Sequence, residues 1–261
     1  MSTEHFNAYV LHSRAYRDSS ALVDVFCREE GRFGVIAKGA RGAKSRWRGI
    51  LQPFMPLTID WKGKGELKTL VQAESIAVPI QLTGTHLMSG FYLNELLVRL
   101  THPYYPLPDL FEYYTQALKH LQSVEHADAV LRPFEMFLLQ EIGYGFSLTD
   151  EASSGDAVES DQFYQFDPAQ GLIAINQNQP PMNNQFAKVL PAIKGELLLA
   201  IANQQWQDIE VRRVAKQIMR VALFPHLGDK PLESRKLFMK PAVSSATKTT
   251  SENTQKSELD S

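Results

Sequence analysis

The hydrophobic pattern of the 261-residue chain changes its period near residue 80, and this change limits the fold to two successive parts. Before Pro79, short runs rich in Val, Ile, Phe and Tyr alternate between apolar and polar residues, as half-buried strands do. After Thr83, apolar residues recur every three or four positions, which is the spacing of helices packed on one face. We therefore predict an α+β chain, with a β domain over residues 1–80 and a larger helical domain over residues 81–240.

Five strands are predicted in the first part. Glycine-containing turns separate them, including Glu30-Gly31-Arg32 and the basic turn Lys62-Gly63-Lys64-Gly65. Five short strands in so few residues are typical of a Greek-key barrel of the OB type, and a small SH3-like barrel is the alternative. The predicted strands cover residues 6–12, 21–28, 32–38, 51–61 and 66–75.

The second part is predicted to contain three long helices, whose apolar stripes end at His102-Pro103, Leu121 and Gly143. Residues 146–179 interrupt the helical period with an acidic stretch and two short runs that predict a β hairpin. Residues 241–261 lack any apolar spacing, which predicts a disordered tail. The remaining predicted elements are hairpin strands over 162–167 and 171–176, short helices over 186–190 and 196–202, and a long helix over 208–222.

A run of cations and glycines follows the third predicted strand. Residues 38–48 carry five cations and one tryptophan, and residues 31–59 contain no Asp or Glu. The glycines at 39, 42 and 49 disfavour a regular helix, so a flexible loop is predicted. Such a loop suits phosphate oxygens, because cations attract them and glycine lets a ligand come close. A solvated surface loop is the alternative. The candidate nucleic-acid-binding residues here are Lys38, Arg41, Lys44, Arg46, Trp47 and Arg48.

Two further sets of cations extend this hypothesis. Because the net charge of the chain is −2, any binding of nucleic acid depends on local segregation of charge. Lys62, Lys64 and Lys68 follow the fourth predicted strand and could lengthen the same track. Cationic loops beside an aromatic side chain are the usual arrangement for holding single strands, although Trp47 could equally pack against the barrel. A second basic surface, or a solvated helix face, is predicted at Arg212, Arg213, Lys216 and Arg220.

No catalytic or metal-binding motif stands out in the sequence. Cys27 is the single cysteine and lies in an apolar run, so it is predicted to be a core residue. The seven histidines are scattered, and no phosphate-binding or hydrolase motif occurs. The N-terminus lacks a secretory signal and no segment is apolar enough to span a membrane, so a cytoplasmic protein is predicted. Because no catalytic or metal-binding motif occurs, we predict that the protein acts by binding rather than by catalysis, without a metal or cofactor.

Several segments resemble the RecO family of DNA repair proteins, over about residues 6–240. The resemblance is most specific between residues 37 and 57 and is weaker in any single short piece. The segments that carry it are Ala8-Tyr9-Val10-Leu11-His12-Ser13-Arg14, Leu22-Val23-Asp24-Val25-Phe26, Val35-Ile36-Ala37-Lys38-Gly39-Ala40-Arg41, Leu51-Gln52-Pro53-Phe54-Met55-Pro56-Leu57, Gly143-Tyr144-Gly145 and Pro225-His226-Leu227-Gly228.

This resemblance implies an OB-fold domain followed by a helical domain. It implies binding to single- and double-stranded DNA, annealing of complementary strands, and cooperation with RecR in loading RecA onto DNA coated by single-strand-binding protein, in the RecF pathway near the nucleoid. The family also contacts the acidic C-terminal tail of single-strand-binding protein, and Arg132 is the candidate for that contact. An RNA-binding OB protein and a nuclease remain the alternatives.

The chain departs from the family pattern in the segment after Gly143-Tyr144-Gly145. Many members are expected to hold zinc there with four cysteines, whereas residues 146–179 contain none. Zinc is therefore not expected in this chain, and the segment is predicted to keep its shape by packing alone.

Overall fold

The computed structural model describes residues 5–175, 190–228 and 230–238. Its first five strands close into a barrel in the order β1-β2-β3-β5-β4. All neighbours are antiparallel except β3 and β5, which run parallel. The predicted OB-type barrel is confirmed. The strands are β1 (Phe6–Tyr16), β2 (Ser20–Cys27), β3 (Gly31–Ala37), β4 (Leu57–Lys62) and β5 (Lys68–Ser75).

The barrel is filled by alternate residues of its strands, as the sequence pattern requires. On β3, Phe33, Val35 and Ala37 are buried while the residues between them are half-buried. Cys27 lies in the same core, and burial raises the pKa of its thiol to about 12. The thiol is therefore protonated and inert, as a packing residue is.

The helical part contains the three long helices predicted from the sequence. A three-stranded sheet in the order β7-β6-β8 follows them, and the predicted hairpin forms its first two strands. The elements are α1 (Gly84–Leu100), α2 (Pro108–His120), α3 (Asp128–Glu141), β6 (Phe163–Asp167), β7 (Gly171–Ala174), β8 (Ile193–Lys194), α4 (Gly195–Ala202), α5 (Ile209–Leu227) and α6 (Ser234–Phe238).

Several boundaries differ from the prediction. β1 runs to Tyr16 rather than residue 12, and β4 begins only at Leu57. α5 continues through Pro225 to Leu227. Neither β8 nor α6 was predicted, because elements of two and five residues give no measurable period. Apart from Leu190, the predicted helix over 186–190 lies outside the described residues, as does the predicted tail over 241–261.

The outer wall of the barrel and the helices share one hydrophobic core. Tyr9 of β1 and Phe26 of β2 contact Phe111 and Tyr114 of α2, with ring centroids 5.3–6.1 Å apart. Asn94 of α1 is buried at this contact. Its amide nitrogen donates to the main-chain oxygen of Leu11 (3.0 Å), and its oxygen accepts from the Tyr114 hydroxyl (2.5 Å). The division at residue 80 thus separates two local patterns and stays a prediction as a domain boundary.

The segment after α3 is held by hydrogen bonds as well as by packing, so the expectation of packing alone is wrong. Phe146 packs on Phe166 with ring centroids 4.7 Å apart. The Glu151 carboxylate accepts from the Ser153 hydroxyl (2.6 Å) and from the main-chain N–H of Ser154 (2.8 Å). These bonds favour the charged form and lower the pKa of Glu151 to about 2. A charged turn therefore organises this segment.

Candidate functional site

The cationic loop after β3 folds as a series of hydrogen-bonded turns and not as a helix, and its flexibility stays a prediction. Four main-chain N–H groups donate to the carbonyl three residues earlier, at distances of 3.0–3.4 Å. Gly39 and Gly49 take φ values of +69° and +80°, which glycine adopts without strain. The glycines that exclude a helix thus shape a defined loop. The four donors are Ala40, Gly42, Ser45 and Arg48.

Trp47 fixes this loop to the barrel. Only 5% of the residue is exposed, and its Nε1 donates to the main-chain oxygen of Lys38 (3.0 Å). The Arg46 guanidinium lies 4.2 Å from the indole centroid and covers it. Packing is therefore the correct one of the two roles left open for Trp47. Its assignment as a DNA-contacting, base-stacking residue is wrong, because the ring faces the barrel.

The predicted cations of the barrel are free of ion pairs within residues 5–175, 190–228 and 230–238. All are exposed except Lys68, which is half-buried. Four of them donate to main-chain carbonyls: Arg41 to Arg17 (3.2 Å), Arg46 to Val71 (2.8 Å), Arg48 to Ala43 (3.5 Å) and Lys68 to Gly63 (3.2 Å). A carbonyl orients a cation without cancelling its charge. The cations so left uncompensated are Lys38, Arg41, Lys44, Arg46, Arg48, Lys62, Lys64 and Lys68.

The barrel brings these cations onto two neighbouring connections, the loop after β3 and the β4–β5 turn. Lys68 lies opposite Val35 of β3, and Lys62 lies opposite Thr69 of β5. Arg46 reaches further along β5 to Val71. The loop after β3 and the β4–β5 turn therefore flank the same strand. We call the eight cations on these connections the basic surface.

A third connection, the β1–β2 turn, lies beside the basic surface, and the sequence analysis missed it. The main-chain N–H of Arg41 donates to the carbonyl of Ser19 (2.9 Å), which ties the turn to the basic surface. Arg14 and Arg17 of this hairpin are exposed. Two arginines on either side of Tyr16, beside a short polar turn, were the available signal.

The four cations predicted as a second surface do not form one. The Arg212 guanidinium donates to the carbonyl of Gln207 (2.9 Å), and Arg213 pairs with Glu210 at 3.2 Å on the exposed side of α5. Lys216 and Arg220 instead line a separate cavity. By its spacing, Arg213 shares a helix face with Lys216 and Arg220, but it does not line the cavity that they line.

That cavity has a volume of about 430 Å³ and lies between α1, α3, α5 and α6. Its wall combines apolar side chains with four cations, of which all but Arg132 take part in no ion pair within the described part of the chain. We call it the α3–α5 pocket. Its cations are Arg132, Lys216, Arg220 and Arg235, and its apolar residues include Leu131, Leu223, Leu227 and Leu232.

Arg132 itself is buried and already compensated. It lies 3.3 Å from Asp128 and 2.8 Å from Glu135, one turn away on either side of α3. Glu135 is fully buried and accepts from the Tyr92 hydroxyl (2.6 Å). Burial raises the pKa of Glu135 to about 7 despite the attraction of Arg132. The spacing of these three charged residues on a predicted helix was a readable signal that the sequence analysis did not use.

The net positive charge of the pocket therefore comes from Lys216, Arg220 and Arg235. These three residues are exposed, whereas only 6% of Arg132 is. Among the described residues, neither Arg132 Nε nor Glu135 Oε2 gains a well-aligned hydrogen bond. Arg132 is buried in the wall of the pocket, and the exposed charge there belongs to the other three cations.

Two general features of the described residues bear on function. They contain no group of His, Cys, Asp and Glu side chains close enough together to hold a metal ion. In the same residues, no helix combines the length and the apolar character that crossing a membrane requires.

The fold and its surface define a class: an OB-type barrel with an uncompensated basic surface, joined through a shared core to a helical body. The chain belongs to the RecO family. The family model for the recombination protein O N-terminal part matches residues 1–79, and the model for its C-terminal part matches residues 81–236. Family membership supports a role in DNA repair and recombination.

Similar full-length relatives agree with this placement. The DNA repair protein RecO of Aliivibrio fischeri (strain MJ11) is 42% identical over 231 residues, covering 88% of this chain and 93% of the relative. The DNA repair protein RecO of Haemophilus influenzae is 42% identical over 238 residues, covering 91% and 97%. That of Methylococcus capsulatus is 40% identical over 232 residues, covering 89% and 91%.

Proposed function

We propose that this protein is a non-catalytic mediator of recombinational DNA repair that binds single- and double-stranded DNA through the basic surface. The observation that carries the proposal is the set of eight cations on neighbouring connections, none of which forms an ion pair with an acid in the described residues. Phosphates approaching this surface release counterions, which drives binding without reading sequence.

Annealing follows from the same arrangement. Two DNA strands repel each other through their phosphates, and a cationic surface lowers that repulsion when both strands lie on it. The bases remain free to pair if the cations of the basic surface contact phosphates, because phosphate contacts leave the base edges unoccupied. In the cell, RecR would act with this surface to load RecA onto DNA coated by single-strand-binding protein, near the nucleoid of the cytoplasm.

Lys44 and Lys64 provide the sharpest test, because both are exposed and neither is a donor to the barrel among the hydrogen bonds of the described residues. We predict that Lys44→Glu with Lys64→Glu weakens binding to single and double strands alike, by tenfold or more at fixed salt. The slope of log affinity against log salt should become shallower by about 0.7 for each phosphate of a single strand that the variant no longer binds. Titration of labelled DNA at several salt concentrations measures both quantities.

A matched control changes the same charge elsewhere. Lys119 of α2 and Lys230, which follows α5, are exposed, form no ion pair within the described residues and are remote in sequence from the barrel. Their reversal to Glu should leave DNA affinity within about twofold. Equal loss in both double variants would show that net charge, and not the basic surface, controls binding.

We propose further that the α3–α5 pocket receives the acidic C-terminal tail of single-strand-binding protein. An acidic peptide with apolar side chains needs cations beside a dry groove, and the pocket sets Lys216, Arg220 and Arg235 beside leucines. Arg132 contributes as part of the buried wall rather than as a free charge, because Asp128 and Glu135 already engage it.

Arg220→Glu is predicted to weaken binding of a labelled acidic tail peptide by tenfold or more, measured by fluorescence anisotropy. The affinity for naked DNA should stay unchanged, because the pocket is separate from the basic surface. Arg213→Glu is the matched control, since Arg213 lies on the same helix, pairs with Glu210 and does not line the pocket. A similar loss in both variants would exclude the pocket as the peptide site.

A further inference from the structure

The burial of Trp47 leaves the basic surface without the exposed ring on which unpaired bases usually stack. Tyr16 is the aromatic residue nearest in sequence to the turn that the basic surface contacts. It is the last residue of β1, it is half-buried, and it lies outside the barrel core. Its position at the tip of the β1–β2 hairpin therefore makes it the candidate for this role.

The hairpin tip is fixed to the basic surface by one residue, Arg41. Its main-chain N–H donates to Ser19 (2.9 Å), and its guanidinium donates to the carbonyls of Arg17 (3.2 Å) and Asp18 (3.5 Å). These bonds hold the turn from both the backbone and the side chain. Arg41 is thus a positioning residue, and Tyr16 has a defined place beside the cations.

Strand geometry places Tyr16 at one side of the outer face of β2 and β3, and we call this face, with the turns on either side of it, the channel. Arg14 and Tyr16 share one face of β1, because alternate residues of a strand point the same way. Their face continues across Leu22, which lies opposite Arg14, to the half-buried Ile36 of β3. In an OB barrel, this outer face of β2 and β3 and the two turns beside it are the usual binding place for oligonucleotides.

The β4–β5 turn forms the opposite side of the channel. Leu67 of this turn is 48% exposed, and its side chain approaches β3 at Gly34, within 3.4 Å of where a β-carbon would stand. Lys64 and Lys68 lie on either side of Leu67 in the turn, with the exposed Glu66 between the two lysines. An unpaired strand in the channel would therefore have cations along both sides.

The hairpin and the face beside it carry one cation over the Tyr16 ring and two acids. The Arg17 guanidinium lies over one face of the Tyr16 ring, 5.3 Å from its centroid, so a base would stack on the opposite face. Asp24 is the acid on the channel floor, and it lies 3.7 Å from His12. Asp18 in the turn is exposed, with its carbonyl bound by Arg41.

We propose that Tyr16 stacks on an unpaired base of single-stranded DNA in this channel, with Arg14 and Arg17 on the adjacent phosphates. This inference rests on the proposed function, because it places a strand on the basic surface. Stacking would also distinguish single strands from duplexes, which the charge of the basic surface alone does not do. Bases of a duplex are already stacked, so the contact favours single strands.

The test compares Tyr16→Leu, which removes the ring, with Tyr16→Phe, which keeps it. Titrations use an oligothymidylate and a duplex of equal length. Tyr16→Leu is expected to weaken single-strand binding about tenfold and duplex binding less than twofold, without changing the salt slope, because stacking releases no counterions. Tyr16→Phe should bind both like the native protein. Unchanged single-strand affinity in Tyr16→Leu, or equal loss for both DNAs, overturns the proposal.

A second measurement on the native protein guards against a variant that fails to fold. An oligothymidylate carrying 5-iodouracil is crosslinked by long-wavelength light, and the attachment is mapped by peptide mass analysis. Attachment at Tyr16 supports the proposal, and attachment at other aromatic residues alone overturns it.

The outcomes for stacking and for the proposed function are separable. If Lys44→Glu with Lys64→Glu weakens binding and Tyr16→Leu does not, the basic surface holds DNA and the stacking role is wrong. If the native protein binds neither DNA, the proposed function itself fails.

Discussion

At the scale of single residues, the sequence predicted which side chains are charged but not which charges are compensated. Arg132 was predicted correctly as a neighbour of an apolar stripe, and it does line the α3–α5 pocket. Its two acid partners leave it little free charge. Trp47 shows the same limit, since its burial depends on how the loop after β3 folds back. Composition cannot reveal such contacts, because they are set by tertiary packing.

Glu135 should make stability depend on pH. Below its ordinary pKa of 4.5 the carboxyl is protonated in both the folded and unfolded chains, and above about 7 it is ionised in both. Between these values only the unfolded chain releases the proton, so the folded state loses stability as pH rises. At about 1.4 kcal/mol per pKa unit, the loss amounts to about 3 kcal/mol.

Glu135→Gln provides the comparison, since the amide keeps an acceptor for the Tyr92 hydroxyl and cannot ionise in this range. We predict that the unfolding free energy of the native protein, relative to this variant, falls by about 3 kcal/mol between pH 4.5 and 8. Urea denaturation at closely spaced pH values measures it. Parallel curves for the two proteins would contradict a raised pKa for Glu135.

At the scale of elements, long periodic segments were predicted well and short ones were not. The three long helices and the hairpin of β6 and β7 follow from repeated apolar positions. β8 has only two residues, and its pairing with β6 depends on a distant segment. The extended end of β1 was missed because residues 12–16 are mostly exposed and lack alternation. That missed end carries Tyr16, so an error of boundary concealed a candidate site.

The junction between β8 and α4 is a tight contact that depends on a glycine. A β-carbon at Gly195 would stand 2.0 Å from the main-chain oxygen of Glu159, which cannot move aside as a side-chain end can. We predict that Gly195→Ala lowers the unfolding free energy by about 1–3 kcal/mol. Chemical denaturation measures the change.

Gly65 in the β4–β5 turn is the matched control. A β-carbon there would meet no atom within 4 Å, so Gly65→Ala should change the unfolding free energy by less than about 1 kcal/mol. If both substitutions had the same small effect on the unfolding free energy, the main chain at Glu159 would have to move aside without loss of stability, which would contradict the prediction.

At the scale of the whole molecule, the sequence predicted two parts but not their union. The change of period near residue 80 is real, and the family models meet at the same place. Nevertheless, Tyr9 and Phe26 on the outside of the barrel belong to the core of the helices. When both faces of a strand are apolar, the sequence does not show whether the outer face contacts solvent or packs on a second layer. The barrel therefore depends on the helical part for burial of one side.

This shared core predicts that barrel and helices unfold together. Trp206→Phe leaves tryptophan only in the barrel, at Trp47 and Trp61, so fluorescence then reports the barrel. Far-ultraviolet circular dichroism reports mainly the helices. We expect the two denaturation curves of this variant to coincide, as a two-state transition requires. Asn94→Ala should lower both midpoints equally, because it leaves the Leu11 carbonyl and the Tyr114 hydroxyl without their buried partner, a loss of about 1–3 kcal/mol. Separate midpoints, or an Asn94 effect on one probe alone, would mean that the barrel holds its fold without the helices, and that the contact across Tyr9 and Phe26 joins two independent domains.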